Sequence, residues 1–380
     1  MIGMSGGVDS SVSALLLHRQ GFDVRGLFMK NWEDNDPAGP CPAVQDSLDA
    51  MRVCDRIGIP FDAVNFADEY WQRVFRYFLE EYRDGRTPNP DVLCNKEIKF
   101  RAFLDYALAQ GADSIATGHY ARIEERNGYF YLLKGCDPNK DQSYFLYALD
   151  QYQLSKAVFP LGHLYKNQVR KIALEEGFEN HAKKDSTGIC FIGERKFKSF
   201  LNQYLPGQPG EIRTPDDTLV GTHDGLMFYT IGQRKGIGIG GRQDNDGEPW
   251  YVADKRMADN VLVVVQGEYH PLLYNSRLTA NSLYWITTMP AMLPFRCTAK
   301  TRYRQPDQAC TISAINNDTC RVTFDRPQRA VTPGQSIVFY DNDICLGGGI
   351  IHQVGDTSYS RIEDSRQPCY IEADKIRHYS

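Results

Sequence analysis

Gly3-Met4-Ser5-Gly6-Gly7-Val8-Asp9-Ser10-Ser11, running at once into Val12-Ser13-Ala14-Leu15-Leu16-Leu17, is the stretch whose reading decides the fold. A glycine pair flanked by hydroxyls and followed by an apolar helical segment is a device for holding an anion. Gly6 and Gly7 let the backbone turn with no Cβ in the way, so several N–H groups converge on one point. A helix beginning near Val8 aims its positive end at the same place, and Ser5, Ser10 and Ser11 add hydroxyl donors. The plainer reading is an ordinary strand-to-helix turn with a serine cap. The density of donors speaks against it. An acidic Asp9 in an anion site makes sense mainly where a metal ion accompanies phosphates.

No Gly-Lys-Ser/Thr follows the glycines, so this is not a Walker loop. It resembles Ser-Gly-Gly-x-Asp-Ser, the signature of the ATP-pyrophosphatase, or PP-loop, superfamily. That resemblance implies cleavage of ATP between its α- and β-phosphates, leaving an adenylated substrate and pyrophosphate. The motif by itself does not say which substrate is activated.

The chain has 380 residues, enough for two or three domains and a large core. Its 42% hydrophobic and 24% charged content is that of a soluble globular protein. No apolar run is long enough to cross a bilayer, and no signal peptide is visible. Ten cysteines without framework spacing or a Cys-x-x-Cys pair suggest neither a disulfide scaffold nor a zinc site. They fit the cytosol. A net charge of −5 excludes an all-round basic coat but leaves room for a local basic face toward nucleic acid.

Outward from the loop, Gly21 ends the first helix and Phe22 to Met29 reads as a strand. Gln45 to Ile57 has a helical period, Phe61 to Phe66 reads as a strand, and Trp71, Val74, Phe75, Phe78, Leu79 and Tyr82 form a helical stripe of core type. Strands alternating with helices predict a doubly wound parallel sheet with ligands at the carboxyl ends of its strands. Asp113 to Tyr120 is a further strand ending in Gly118-His119, where Gly118 would let a nucleotide approach the backbone. Ala121 to Lys134 is a hairpin turning at Asn127-Gly128. Asn139 to Tyr144 is a polar cluster opening a helix, explained either by ordinary helix-start polarity or by RNA contacts from Lys140 and Gln142.

Two polar stretches carry cysteines. In Arg86 to Phe100, Pro88 and Pro90 stiffen the approach and Asp91 is placed to cap a helix. Cys94 would lie in its first turn, where the dipole, Lys96 and Lys99 favour thiolate. A lone cysteine is by default a small buried hydrophobe, but these neighbours favour a reactive thiol. Lys183 to Phe191 holds Cys190, and the two cysteines together suggest one carrying sulfur and the other attacking.

Beyond Gly193 the alternation fades after a helix from Arg195 to Tyr204, and Leu205 to Gly210 marks a boundary. Thr230 to Gly241 contains a formal G-x-G-x-x-G, but the polar Arg242 to Pro249 cannot supply the required helix; a flexible basic loop touching RNA phosphates fits better. Trp250 to Gly267 reads as a hairpin and Pro271 to Gln353 as a small β-barrel. Arg296, Lys300, Arg302, Tyr303 and Arg304 suit a phosphate backbone with a stacked base, or else a solvated strand face.

Taken together these segments resemble the bacterial tRNA-specific 2-thiouridylase family from Ile2 to about Gln353. The resemblance rests on Gly3 to Ser10, Leu27 to Lys30, Thr87 to Asn95, Ala116 to Tyr120, Lys140 to Phe145, Ser186 to Ile192 and Pro333 to Ser336. It implies an α/β domain over 1–204 with a doubly wound parallel sheet of the adenine nucleotide alpha-hydrolase-like kind. A small central β-rich, tRNA-contacting domain over 205–270, a C-terminal β-barrel over 271–353 and a polar tail over 354–380 would follow. It implies sulfur replacing the 2-oxygen of the wobble uridine in tRNAs for Lys, Glu and Gln, with ATP and Mg2+ as cofactors and a persulfide donor or sulfur-relay carrier as partner. By the same resemblance Gly3, Met4, Ser5, Gly6, Gly7, Val8, Asp9, Ser10, Met29 and Gly118 bind ATP. Asn89, Pro90 and Asp91 meet the target base, and His119, Lys140, Asp141, Gln142, Arg302, Tyr303 and Gln335 touch the tRNA. Cys94 is the nucleophile, Cys190 carries the persulfide, and Asp91 is either a general base or only a cap.

Two departures stand out. Met1-Ile2 leaves almost nothing of the strand expected before the phosphate loop, as if the N-terminus were truncated, and Val354 to Ser380 extends past the family's usual end. The rival in another enzyme class is a PP-loop ligase adenylating a small carboxylate, which would need neither cysteine nor a basic β-rich half. A pure RNA-binding module would have no use for the phosphate loop.

Overall fold

The computed structural model describes residues 1–33, 42–184, 197–239 and 247–355. Cys190, Gly240, Gly241 and all but the first residues of the 354–380 tail lie outside them. In the first half the strands are β1 (Ile2–Met4), β2 (Gly26–Lys30), β3 (Phe61–Asn65), β4 (Ile115–Ala116), β5 (Ala121–Arg126), β6 (Tyr129–Lys134) and β7 (Ala157–Val158). Five of these form one sheet in the order β3-β2-β1-β4-β7, every pairing parallel. The order reverses between β1 and β4, so the loop leaving β1 opens at the topological switch point, where doubly wound sheets bind their ligands.

The strand expected to be nearly missing is built from the motif itself. Ile2, Gly3 and Met4 pair with β2 on one side, and Ile2 with Ala116 on the other. Ile2 and Met4 are 0% and 1% exposed, as a central parallel strand requires. The helix α1 (Val8–Arg19) follows directly, and Gly21, at φ 86°, ends it. The strand expected over Phe22 to Met29 begins later, at Gly26, and α2 (Pro42–Ile57) takes in the predicted helix.

Most of the aromatic stripe is core, with Leu79 half-buried and Trp71 37% exposed at its start. Tyr70, Val74, Phe75, Phe78 and Tyr82 are buried, though the helix carrying them passes through a π-helical turn at Trp71–Phe75. Trp32 inserts among Tyr70, Trp71, Phe75, Phe200 and Tyr204 with ring centroids 4.8 to 6.5 Å away. One expectation is corrected next door. The helix Pro90–Leu93 is capped by Asn89, whose Oδ1 accepts from the Asp91 N–H at 3.2 Å, and not by Asp91. Pro90 at the first helical position fixes that choice, since its preset φ makes the preceding residue the extended one. The polar cluster 139–144 likewise opens only a 3-10 turn, Ser143–Phe145.

The second half is β-rich. β8 (Gly210–Arg213), β9 (Leu219–His223), β10 (Trp250–Arg256) and β11 (Val261–Gln266) make a four-stranded sheet in the order β10-β11-β8-β9. Then β12 (Tyr274–Trp285), β13 (Phe295–Lys300), β14 (Gln308–Asn316), β15 (Thr319–Arg329), β16 (Ser336–Asp341) and β17 (Ile344–Val354) run in the order β12-β15-β14-β13-β16-β17. The pairing of β12 with β17 closes the barrel.

The β5–β6 hairpin turns at Asn127 and Gly128 with φ of 53° and 78°, as an Asn-Gly turn should. Its partner is a surprise: β6 pairs with the last barrel strand, Leu133 opposite Ile344 and Leu132 opposite Cys345. The two halves therefore share one apolar core, in which Leu132, Tyr144 and Phe100 meet Val338, Tyr340 and Cys345. Leu132→Ala, at a fully buried seam residue, is expected to destabilise the chain by about 2–5 kcal/mol. The denaturant midpoints of both halves should fall together; a drop confined to one half would show that the seam is not shared.

Candidate active site

The phosphate loop is held in shape from within. Ser10 and Ser11 donate their hydroxyls to the Gly7 carbonyl at 3.0 and 2.9 Å, and the Ser5 N–H donates to Ser10 Oγ at 3.2 Å. Ser11 is fully buried, so it is scaffold, while Ser5 stays exposed at the mouth. Gly6 has φ 72°, and a Cβ there would stand 2.3 Å from the Asp46 carbonyl oxygen. Met29 lies on the neighbouring strand β2, its Cε 3.0 Å from where a Gly3 Cβ would be.

Gly118 meets the loop directly. What approaches its backbone is the start of α1, since a Cβ would lie 2.9 Å from Ser10 N and 3.0 Å from the Asp9 carbonyl carbon. Asp9 is bound by two residues that no local motif revealed. Lys166 Nζ donates to both carboxylate oxygens at 2.7 Å, and the Tyr120 hydroxyl donates to Oδ1 at 2.7 Å. The negative charge of Asp9 thus faces the Lys166 ammonium. Among the described residues no three His, Cys, Asp or Glu side chains gather as a metal cage. Both Asp9 carboxylate oxygens are engaged by Lys166, and one also by Tyr120.

From Gly118 the contacts lead to the second stretch. His119 is 7% exposed, its Nδ1 2.7 Å from Thr117 Oγ1, and it packs against Phe100 and Phe159. Burial, reinforced by the positive charge of Lys99, pushes its pKa well below the ordinary value, so the ring is neutral at pH 7. Asp91 feels the same lysine: burial pushes its carboxyl up, and Lys99 partly offsets the rise. Cys94 sits three residues after Asp91, hence on the same helical face, and is 2% exposed within the core. The polar neighbours expected around Cys94 do not keep it at the surface.

The residues expected to touch RNA divide into ties and surface. Gln335 Nε2 donates to the carbonyls of Thr87 and Pro88 at 2.7 and 3.2 Å, so it fastens the segment before Asn89 to the barrel. Asp141 is 5% exposed and accepts from the N–H groups of Gly135 and Ser143 and from Lys300 Nζ. Gln142 Oε1 accepts from the Tyr120 N–H at 3.0 Å. Lys140 and Tyr303 are half-buried, with the Tyr303 hydroxyl on the Lys140 carbonyl. Arg302 is exposed while donating to the carbonyls of Ala330 and Ile231. The basic run around it is not uniform, because Lys300 is buried against Asp141 and Asp307, and Arg296 pairs with Asp325.

Comparisons with known proteins agree with this layout. The family model described as tRNA methyl transferase HUP domain matches residues 1–194. The corresponding PRC-barrel domain matches 198–266, and an aminomethyltransferase beta-barrel domain matches 275–351. The tRNA-specific 2-thiouridylase MnmA of Methylococcus capsulatus is 62% identical over 354 residues, covering 92% of this chain and 95% of that one. The protein of the same name from Alkaliphilus oremlandii is 59% identical, covering 93% and 97%. That from Halalkalibacterium halodurans is 58% identical, covering 93% and 94%. Identity of this order across a parallel-sheet domain, a central β domain and a closed barrel leaves one conclusion: the chain belongs to the tRNA-specific 2-thiouridylase family.

Proposed function

We propose that this chain is a tRNA-uridine 2-sulfurtransferase that activates the C2 oxygen of the wobble uridine with ATP and replaces it with sulfur, in tRNAs for Lys, Glu and Gln. The observation that carries the reading is that the phosphate loop abuts Gly118, that its neighbour His119 packs on Phe100 of the helix that begins at Cys94, and that the charge of Lys99 on that helix acts on both His119 and Asp91. A nucleotide on the loop and a uridine beside Asn89, Pro90 and Asp91 would then be neighbours. A PP-loop ligase for a small carboxylate is less favoured, since relatives near 60% identity match all three parts of the chain.

The chemistry follows from a poor leaving group. The uridine C2 oxygen attacks the α-phosphorus and pyrophosphate departs, leaving an O-adenylated base. The backbone N–H groups at Gly6, Gly7 and Val8, with Ser5 and the positive end of α1, hold the phosphates. Met29 and Gly118 flank the nucleotide, and Mg2+, if it comes with ATP, would be carried by phosphate oxygens. In the second step the terminal sulfur of a Cys190 persulfide bonds to C2. Cys94 attacks the inner sulfur, AMP leaves with the former C2 oxygen, and a Cys94–Cys190 disulfide remains for a thiol reductant to open. Asp91, with its raised pKa, is suited to take the uridine N3 proton. A persulfide carrier supplies Cys190, and the cytosol is the compartment in which such exchange runs.

Incubation with unmodified tRNA, ATP and a persulfide donor should release AMP and pyrophosphate and place sulfur in the RNA. Absence of both products would overturn the reading. Cys94→Ser and Cys190→Ser should each stop sulfur incorporation while pyrophosphate release continues, because activation needs no thiol. If either still thiolates, the two-cysteine scheme fails.

The direction of the Asp91 shift sets a pH dependence. Only the carboxylate is a base, so activity should rise with pH through a value above the ordinary ~3.9 of aspartate. Asp91→Asn should lose that limb together with most of the rate; an unchanged profile would leave Asp91 a structural residue. For Arg302→Ala, the salt dependence of tRNA binding should flatten by about one unit of slope. An unaltered slope would mean that its hydrogen bonds to Ala330 and Ile231 are its whole role.

A further inference from the structure

Both carbonyl groups of the glycine pair are turned into the protein. The Gly7 oxygen accepts from Ser10 and Ser11, residues of the motif itself. The Gly6 oxygen is held from far along the chain, by Asn180 Nδ2 at 3.0 Å and Lys183 Nζ at 3.2 Å. Neither donor is casual. Asn180 is 7% exposed and its amide also reaches Ser11 Oγ at 2.9 Å, while Lys183 is anchored by Asp46 and Asp49 at 2.8 and 2.7 Å. In a planar trans peptide the C=O and the following N–H point in opposite directions. Fixing the Gly6 and Gly7 carbonyls inward therefore fixes the Gly7 and Val8 N–H groups outward, toward the mouth of the loop.

We propose that Asn180 and Lys183 are positioning residues for the ATP phosphates, acting through the Gly6–Gly7 peptide plane. The proposal rests on reading this loop as the ATP site. Glycine is free to rotate, so without these donors the peptide can flip and present an oxygen to the phosphates. The flipped loop keeps its fold but repels its ligand. Motif recognition from sequence stops at Ser10, and these two residues lie 174 and 177 positions away from Gly6.

The test uses the full-length chain and four readouts: equilibrium binding of ATP, the KM for ATP in tRNA-dependent AMP release, tRNA affinity, and the thermal midpoint. Asn180→Asp keeps the size and removes the donor; Lys183→Met removes the charge; Lys183→Arg keeps a donor. The first two should weaken ATP binding and raise its KM about tenfold, the loss of roughly one net hydrogen bond. Affinity for tRNA should stay within about twofold, and Lys183→Arg should recover most of the ATP affinity. ATP binding equal to wild type in both donor-deleted variants would overturn the inference alone. Equal losses of ATP binding, tRNA binding and thermal midpoint in all variants would also overturn it, as a folding role. Should Asn180→Asp not fold, the Lys183 pair decides. A wild-type chain that binds no ATP would overturn the functional reading, and this inference with it.

Discussion

The close approach of Gly118 to the first turn of α1 is the constraint on which the rest of the site depends. No side chain fits there, because even a Cβ would sit 2.9 Å from Ser10 N. Once the backbone after β4 is that near, Tyr120 reaches Asp9, and Lys166 completes the pair. The helix Lys166–Glu175 that begins with this lysine packs along α1, and the following turn brings Asn180 and Lys183 to Gly6. A nine-residue motif is thus held on two flanks by parts of the chain more than a hundred residues away. The charge arithmetic is local and nearly balanced: Asp9 meets one ammonium, and Lys183 meets two carboxylates. The loop's own backbone dipoles are left to deal with an incoming anion.

The segment from Gly85 to Asn89 shows the same logic on a larger scale. It belongs to the first domain but is fastened by the other two. Thr87 donates its N–H to the Pro333 carbonyl, and Gln335 closes the loop from the same barrel turn. From the central domain, Lys255 Nζ donates to the Gly85 carbonyl at 3.0 Å. Burial lowers the Lys255 pKa to about 8, with Asp254 partly opposing the fall. Residues proposed to read the target base are therefore placed by elements of the barrel and of the central domain. This gives a physical reason for the β-rich half to share a core with the catalytic half instead of hanging from a linker.

Cysteine use sorts along similar lines. Burial pushes the Cys54 and Cys320 thiols up to about 12 and raises that of Cys345, while the contact with Cys297, with burial added, raises that of Cys310. These are small core hydrophobes, unreactive at neutral pH. Cys94 is equally buried, yet it alone among the described cysteines stands one turn from Asp91 at the start of a helix. Solvent exposure does not distinguish it; its neighbours do.

The loop motif, the alternation of strands and helices and the Asn-Gly hairpin turn were all legible in the sequence, because each depends on the spacing of near neighbours. That range sufficed for the parallel sheet, the switch-point position of the loop and the family. It did not suffice for Asn89 as the cap in place of Asp91, where one proline shifts the extended residue by two positions. Nor could it show that Lys166 neutralises Asp9, that the β5–β6 hairpin joins the barrel, or that Gln335 grips Thr87 and Pro88. Local sequence encodes periodicity and turn chemistry, which are backbone preferences of neighbouring residues. Which donor meets which distant acceptor is decided only when buried polar groups must all find partners in one packed interior, and that is a property of the tertiary structure.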